Sequence, residues 1–333
     1  FFYGFSGLDN NQLLKIKTQP WIDLFNQLRN KSYQNTTENR AITHHELRTS
    51  NQTTTTLKAI ESFEEKLDPS ITTICHIGIG GSIVGPEFIY HSLKTWKQAQ
   101  KKECLFISNH DEEHIQAKIK DINLSTTLFI IVSKSGTTIE VQKIINAIIK
   151  IHAIEKKVFL KNNCIAITTK KSKLDGNDFN DIFYFDDSIG GRFSTTSYVG
   201  LVSLGLCFGL NIIRDLLVGA NKADQNASEP GLDNIALTQA LIRFEQQKNF
   251  QGLAIVPYGE SLAELTTFLC QLICESLGKG STINNELTNT QKSPILMHGT
   301  GPDAQHTFFQ QLHQGHPTIP VEFFMVKPTT ENQ

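Results

Sequence analysis

The chain has 333 residues, a formal net charge of −2 and six cysteines. This length is enough for two domains, each with its own core. The near-zero net charge argues against nucleic acid or an anionic membrane as a partner, because both require a strongly basic surface. The cysteines lie mostly in apolar runs without CxxC spacing, which predicts free thiols and no metal site. No apolar span reaches membrane length and the first residues do not resemble a signal peptide, so we expect a cytoplasmic protein.

The first predicted elements are two helices, over residues 22–28 and 57–67. A β-branched strand, residues 71–77, then runs directly into the glycine-rich turn GIGGSIVGP of residues 78–86. This turn is not a dinucleotide fingerprint, because Ile83 occupies the position of the third glycine, and NAD is therefore not expected. Its backbone N–H groups can still approach an anionic or sugar ligand.

A second special turn follows the apolar run of residues 128–132, which predicts a strand buried on both faces of a sheet. Hydroxyl side chains and one ammonium surround Gly136 immediately after this run: Ser133, Lys134, Ser135, Thr137 and Thr138. Glycine lets the backbone fold closely round a ligand, and hydroxyls together with helix N–H groups can donate to several oxygens. The combination suits a phosphate monoester. The alternative is a Ser/Thr-rich helix cap without a ligand.

Strand and helix patterns alternate along this part of the chain. Further strands are expected over residues 103–108, 164–169 and 182–185, and helices over residues 112–120 and 138–153. Such alternation predicts an α/β fold with a parallel, doubly wound sheet that binds ligands at the carboxyl ends of its strands. Both special turns would lie at that edge.

A third turn, residues 188–200, places Arg192 after two glycines. Ser194 is expected to cap a long apolar helix that runs to about residue 218. An unpaired guanidinium is costly beside a buried helix, so a ligand anion is a candidate partner for Arg192, with a surface ion pair as the alternative. Residues 221–233 are rich in Asn, Asp, Gly and Pro and predict a linker.

The second half predicts a helix over residues 234–247, a strand over residues 253–257 and a helix over residues 260–277. Gln271 and Glu275 are four positions apart on that last helix and share a face. The helix dipole disfavours a carboxylate in the last turn, which marks Glu275 as a candidate general base. The alternative is a solvated surface glutamate.

The last motif, residues 299–315, predicts a helix capped by Asp303 with His306 among its early residues. A histidine at a helix start can exchange a proton with a sugar oxygen, and the alternative is a histidine that only caps or packs. A final strand is expected over residues 317–326.

Five segments resemble, in the same order, the signatures of the glucose-6-phosphate isomerase family: GIGGSIVGP, SKSGTTIEV, IGGRFSTTS, ESLGK and GPDAQHTFFQQLHQG. The resemblance implies two sugar-isomerase (SIS) domains, each a parallel, flavodoxin-like sheet sandwiched by helices. The first, residues 51–220, would bind phosphate, and the second, residues 221–333, would carry the catalytic groups, with a helical segment of residues 1–50 packed on it. The resemblance also implies a phosphosugar substrate, a homodimer, and no metal or redox cofactor.

The resemblance assigns a role to each candidate residue. The implied phosphate-binding residues lie in the first two turns: Gly81, Ser82, Ser133, Lys134, Ser135 and Thr138. Gln271 would contact the substrate, and Glu275 would move a proton between C2 and C1. Arg192 would stabilise the enediolate, and His306 of the neighbouring subunit would open the sugar ring. The expected reaction is the reversible isomerisation of glucose 6-phosphate and fructose 6-phosphate in glycolysis and gluconeogenesis.

Two alternatives keep the same phosphate pocket. One is an isomerase of mannose or glucosamine phosphate, because the 2-position of the sugar is read by pocket shape. The other is a non-catalytic SIS module that binds a sugar phosphate and does not need Glu275, Arg192 and His306 together. The family's closing helical segment, which carries an active-site lysine, has no counterpart in the 333 residues. Either these residues are a fragment or omit some segments of the protein, or the molecule lacks a ring-opening partner of His306, and we expect the omission.

Overall fold

The computed structural model describes residues 19–35, 39–95, 100–176, 178–289 and 292–326. The chain forms two compact units, and each is described by itself. The first unit comprises residues 41–221, and the second comprises residues 222–333 together with residues 1–40. Helix α1, Gln19–Arg29, belongs to the second unit. The predicted N-terminal segment, residues 1–50, lies partly outside the described residues.

A five-stranded parallel sheet forms the centre of the first unit. Its strands are β1 Thr73–Ile77, β2 Glu103–Ile107, β3 Thr127–Val132, β4 Cys164–Thr168 and β5 Asp181–Tyr184. Their order across the sheet is β2-β1-β3-β4-β5, and every neighbouring pair is parallel. This confirms the predicted doubly wound α/β fold, in which ligands bind where the strand order reverses, here between β1 and β3.

Helices cover both faces of this sheet. They are α2 Ser50–Glu64, α3 Val84–Thr95, α4 Glu112–Ile119, α5 Ile139–Ile151, α6 Lys156–Asn163, α7 Tyr198–Phe208 and α8 Leu210–Asn226. Because successive strand side chains point to opposite faces, neighbouring residues of β3 enter separate cores. Ile130 packs with residues of α2, α3, α7 and α8, whereas Ile131 packs with residues of α4, α5 and α6. All six residues of β3 are buried, as its apolar sequence predicted.

The long apolar helix predicted after Ser194 is in fact two helices. Gly209 separates α7 from α8 and has a φ of 89°, which ends a helix and is readily adopted only by glycine. The predicted cap is also wrong, because Ser197 caps α7 and its Oγ accepts a backbone N–H of the first turn at 3.1 Å. Ser194 lies instead within a 3₁₀ turn, Gly191–Thr196.

The second unit contains a three-stranded parallel sheet in the order β7-β6-β8. Its strands are β6 Gly252–Tyr258, β7 Ile295–His298 and β8 Val321–Met325. Its further helices are α9 Ile235–Gln247, α10 Leu265–Cys270, α11 Gly301–His306 and α12 Phe309–Gln314. Residues of α10 and the turn after it pack on one face of β6, and residues of α11 and α12 pack on the other. This is again a parallel sheet between helices.

Helix α9 is fastened to the edge strand β8 through Glu322. Arg243 donates from Nε and Nη2 to the two carboxylate oxygens of Glu322, at 2.8 and 2.6 Å. Gln239, one turn earlier on α9, donates to the same carboxylate at 2.7 Å. A bidentate pair of this kind restricts the orientation of both side chains. It therefore fixes α9 against the sheet.

Within the described parts of the chain, no helix combines the length and apolar character needed to cross a bilayer. The same residues contain no group of three or more His, Cys, Asp or Glu side chains that could hold a metal ion. All six cysteines are free thiols, and four of them are buried. Burial raises the pKa of the Cys75 thiol to about 12, which keeps it protonated and unreactive.

Candidate functional site

A cavity of about 410 Å³ lies at the carboxyl edge of the sheet in the first unit. Its lining residues come from the ends of β1, β3 and β4 and from the segment after β5: Ile79, Ser82, Val132, Ser133, Lys134, Ser135, Thr138, Thr169 and Asp187. The first two of these strands are the neighbours between which the strand order reverses. The structure thus brings five of the six predicted phosphate-binding residues to one cavity.

Hydroxyl groups form two pairs in the turn after β3. The Oγ of Ser133 lies 2.9 Å from Oγ1 of Thr138 and accepts the backbone N–H of Gly136 at 3.1 Å. The Oγ of Ser135 lies 2.7 Å from Oγ1 of Thr137. Only one hydroxyl proton is used within each pair, so the other O–H can donate to an anion.

The start of helix α5 distinguishes a ligand site from a helix cap. Thr138 is the N-cap residue of α5, but its side chain makes no capping hydrogen bond. Its hydroxyl is directed to Ser133 instead. The first N–H groups of a helix without such a cap attract an anion, and the helix dipole acts in the same direction. The geometry therefore favours a bound anion over the alternative of a Ser/Thr-rich cap.

The same turn is held tightly against the segment that follows β4. Gly136 has a φ of 69°, and a Cβ at this position would lie 2.7 Å from the backbone nitrogen of Leu174. Thr168 and Thr169 donate from their side chains to the carbonyls of Ser133 and Lys134, at 2.7 and 2.9 Å. The turn is therefore rigid, and glycine is required at its centre.

Lys134 lines the cavity, but its ammonium group already has protein partners. Its Nζ donates to the backbone carbonyls of Asp187 and Ile189, at 2.6 and 3.1 Å, and lies 3.0 Å from the Asp187 carboxylate. The formal charges of Lys134 and Asp187 cancel, so an anion in this cavity depends strongly on hydroxyl and N–H donors. The sequence did not lead us to predict Asp187 as a site residue. The one feature that could have indicated it is its position directly before the third special turn.

The first and third special turns lie against each other. The glycine-rich segment forms a 3₁₀ turn, Gly80–Ser82, and a Cβ at Gly81 would overlap the backbone of Gly191. The close packing of the two turns therefore requires Gly81, whereas its predicted contact with phosphate stays a prediction. The guanidinium carbon of Arg192 lies 4.8 Å from the ring centroid of Phe193, in a cation–π contact that limits its orientation.

Gln271 and Glu275 belong to the second unit and are brought together as predicted. The predicted continuous helix is not α-helical throughout, because α10 continues as a π-helical turn, Gln271–Glu275. Nε2 of Gln271 donates to Oε2 of Glu275 at 3.0 Å, whereas its buried Oε1 has no hydrogen-bond partner among the described residues. Lys279 donates to the backbone carbonyl of Glu275. Single π-helical turns are rare and often mark functional sites.

His306 ends a helix instead of starting one, so its predicted N-terminal position was wrong. Thr300 is the N-cap of α11, and Asp303 lies within the helix. Pro302 in the first turn favours this earlier start. The chain leaves helical geometry at Thr307, with φ −116° and ψ −80°, before α12 begins. His306 is consequently an exposed residue at a helix C-terminus.

The amino-acid sequence matches one protein family over almost its full length. A sequence model of the family described as phosphoglucose isomerase matches residues 13–333. The glucose-6-phosphate isomerase of Borreliella afzelii (strain PKo) is 39% identical over 262 residues, which cover 75% of this chain and 49% of that protein. The glucose-6-phosphate isomerase of Chlamydia pneumoniae is 36% identical over 269 residues, which cover 79% of this chain and 51% of that protein. The chain thus spans about half the length of the curated relatives it matches.

The fold agrees with the sequence match. The crystal structure of a glucose-6-phosphate isomerase from Chlamydia trachomatis is similar to this structure with a TM-score of 0.84 and 27% sequence identity. The similarity covers 95% of this chain and 66% of that chain. The sequence and the fold of this chain thus both match glucose-6-phosphate isomerases. The chain belongs to the phosphoglucose isomerase family.

Proposed function

We propose that the protein interconverts glucose 6-phosphate and fructose 6-phosphate, as a cytoplasmic enzyme of glycolysis and gluconeogenesis. The observation that carries this proposal is the hydroxyl-lined cavity at the strand-order reversal of the first sheet, in a chain of this family. The relatives at 39% and 36% identity are named glucose-6-phosphate isomerases. We further propose the domain division given by the sequence, with residues 51–220 binding phosphate and residues 221–333 supplying the base.

In this proposal the cavity of the first unit holds the phosphate group of the sugar. Ser135 donates from its hydroxyl, Ser133 and Thr138 both donate once the phosphate replaces the hydrogen bond between them, and the N-terminus of α5 adds backbone N–H groups. Ser82 contributes from the carboxyl end of the neighbouring strand β1. Lys134 offsets the charge of Asp187, which would otherwise repel a phosphate.

The chemical step relocates two protons of the open-chain sugar, one from C2 to C1 and one from O2 to O1. Glu275 removes the proton from C2 of the aldose, and the negative charge moves to O1 as the C1–O1 carbonyl opens to an enediolate. The proton of the O2 hydroxyl moves to O1, and Glu275 gives a proton back to C1, which yields the ketose. The Arg192 guanidinium offsets the negative charge that develops on the enediolate. Gln271 orients the carboxylate through its hydrogen bond to Oε2 and contacts the substrate. No electron acceptor is consumed, because the reaction only relocates protons.

The ring-opening residue is His306, and we propose that a second copy of the chain supplies it within a homodimer. Mixing two inactive variants tests this point. If each site combines Glu275 of one subunit with His306 of the other, mixed dimers of Glu275→Gln and His306→Ala contain one intact site. Reassociated equimolar mixtures should then recover about a quarter of wild-type activity. No recovery, despite subunit exchange, would place both residues in the same subunit.

The function is tested by incubating the protein with fructose 6-phosphate in D₂O and identifying the products by NMR. We expect glucose 6-phosphate with deuterium at C2, since a carboxylate base exchanges its proton with solvent. Mannose 6-phosphate as the main product would identify the rival isomerase. Glucosamine 6-phosphate is tested as a separate substrate. Binding of fructose 6-phosphate without any product would indicate a non-catalytic sugar-phosphate module.

A further inference from the structure

His76 is a buried titratable residue to which the proposed mechanism assigns no step. It lies on β1, and its side chain is fully buried. Its Nδ1 lies 2.6 Å from Oγ of Ser203 on α7, and its Nε2 lies 2.7 Å from the backbone carbonyl oxygen of Ser82. One imidazole therefore connects a core helix, a central strand and the glycine-rich turn.

These two partners define the tautomer of the ring. A carbonyl oxygen can only accept, so Nε2 carries the proton and donates it to Ser82. Nδ1 of the neutral ring then accepts from the hydroxyl of Ser203. Burial lowers the pKa of His76 to about 4, against a smaller opposing effect of the hydrogen bond to Ser82. The ring is consequently neutral at pH 7, in the Nε2–H form.

Ser82 lines the cavity and, with Ile79, is the contribution of the glycine-rich turn to it. Its carbonyl is bound by His76, and the preceding carbonyl, of Gly81, accepts from Oγ of Ser194 at 3.3 Å. The 3₁₀ turn itself has no side-chain capping bond. The side chains of His76 and Ser194 thus hold two successive carbonyls of the turn, which restricts the orientation of its residues.

We propose that His76 is a positioning residue of the cavity, which holds the Ser82 carbonyl through Nε2–H and so orients Ser82 toward the phosphate group of the substrate. The inference rests on the proposed function, because it takes the cavity to be the phosphate site. His76 touches no substrate atom in this role. It acts through the turn, and its effect is on ground-state binding of the phosphate.

Two amide variants separate the two hydrogen bonds of the ring. Gln places its amide nitrogen close to the position of Nε2, whereas Asn places its amide near Nδ1 and cannot reach Ser82. We expect His76→Gln to bind inorganic phosphate within about three-fold of wild type, and His76→Asn to bind it about ten-fold more weakly. With fructose 6-phosphate, KM should follow the same order while kcat stays within about two-fold.

Thermal midpoints of both variants provide the control for a purely structural role. If His76 only fills the core, any change in phosphate affinity will follow the loss of thermal stability, and the position of the amide donor will have no effect of its own. Equal dissociation constants for the two variants would therefore overturn the proposal. Nitrogen-15 NMR of the wild-type protein at pH 7 gives a second test that needs no variant. A proton on Nδ1 of His76 instead of Nε2 would also overturn it.

The design separates this inference from the proposed function. If the wild-type protein binds inorganic phosphate but isomerises no sugar, the proposed activity fails while the comparison of Gln with Asn still decides the role of His76. If the protein is an active isomerase and the two variants bind phosphate equally, only the inference about His76 fails.

Discussion

The sheets of the two units differ in how much of each is buried. All residues of β3 and β4 in the first unit are buried, whereas no residue of β7 or β8 in the second unit is, and burial there is confined to the central strand β6. Phe323 and Met325 of β8 remain 56% and 59% exposed. The cavity lies at the end of β3, one of the two fully buried strands of the first sheet. A site that must hold an anion in a fixed geometry benefits from such a rigid support.

The residues proposed for the proton transfers are more exposed to solvent. Glu275 and His306 are exposed residues at the ends of helical segments in the second unit. By contrast, Ser133 is buried and Thr138 is partly buried. The comparison suggests a division of work, with binding assigned to the well-buried unit and proton transfer to the other. The following experiments test that division.

The largest effect is expected for Glu275→Gln. The amide keeps the size of the side chain but cannot accept the C2 proton, so kcat should fall by about 10³-fold. The dissociation constant for fructose 6-phosphate should change by less than about five-fold, because the proposed phosphate site lies in the other unit. Glu264→Gln is the matched control, since Glu264 is an exposed glutamate at the start of α10. A Glu275→Gln protein with wild-type turnover would refute the assignment of the base.

The burial difference itself is tested by two alanine substitutions. Ile131 on β3 is fully buried, whereas Ile295 on β7 is 69% exposed. Ile131→Ala should lower the free energy of unfolding by about 2–5 kcal/mol, through lost burial and the cavity that remains. Ile295→Ala should cost less than about 0.5 kcal/mol. Urea denaturation measures both, and similar costs for the two would contradict the contrast drawn between the sheets.

The first unit should also lose stability on acidification. The folded pKa of His76 is lowered to about 4 by burial, whereas an unfolded histidine titrates near pH 6.5. Between these values the unfolded chain binds a proton that the folded chain does not. The contribution of the neutral His76 ring to the free energy of unfolding is therefore complete above pH 6.5. It is lost as the pH falls to 4, by about 3 kcal/mol in total. His76→Gln should show a shallower fall in unfolding free energy over this range, and an unchanged slope would argue against a buried neutral ring.

The smallest effect is expected for Ser135→Ala. Loss of one hydroxyl donor to a charged phosphate should raise KM about ten-fold and leave kcat within about three-fold. Ser125→Ala is the control, because Ser125 is an exposed hydroxyl residue before β3 and lies outside the cavity. A changed kcat with unchanged KM would count against a phosphate-binding role of the turn.

The sequence predicted the core strands and special turns because their signals are local. The run of residues 128–132 specifies a buried strand, and the hydroxyl-rich turn after it is readable without neighbours. Helix α6 was missed, since its sequence KKVFLKNN shows little apolar periodicity. The helix caps were misplaced because several residues that favour the N-cap position stand close together. Ser197 occupies the N-cap position of α7 and Thr300 that of α11, in place of Ser194 and Asp303.

Other parts of the site depend on contacts between distant segments. Lys134 meets Asp187 53 positions later, and His76 meets Ser203 127 positions later. No periodicity or motif in the chain encodes these pairs. The π-helical turn at Glu275 is a further case, because a sequence of helix-forming residues does not show where the hydrogen-bond register changes.

The most direct test of the account is a crystal structure of the protein with bound fructose 6-phosphate. We expect the phosphate oxygens within about 3 Å of the hydroxyls of Ser133, Ser135 and Thr138, beside the N-terminus of α5. A phosphate group bound anywhere else, with this cavity unoccupied by the sugar, would contradict the central claim.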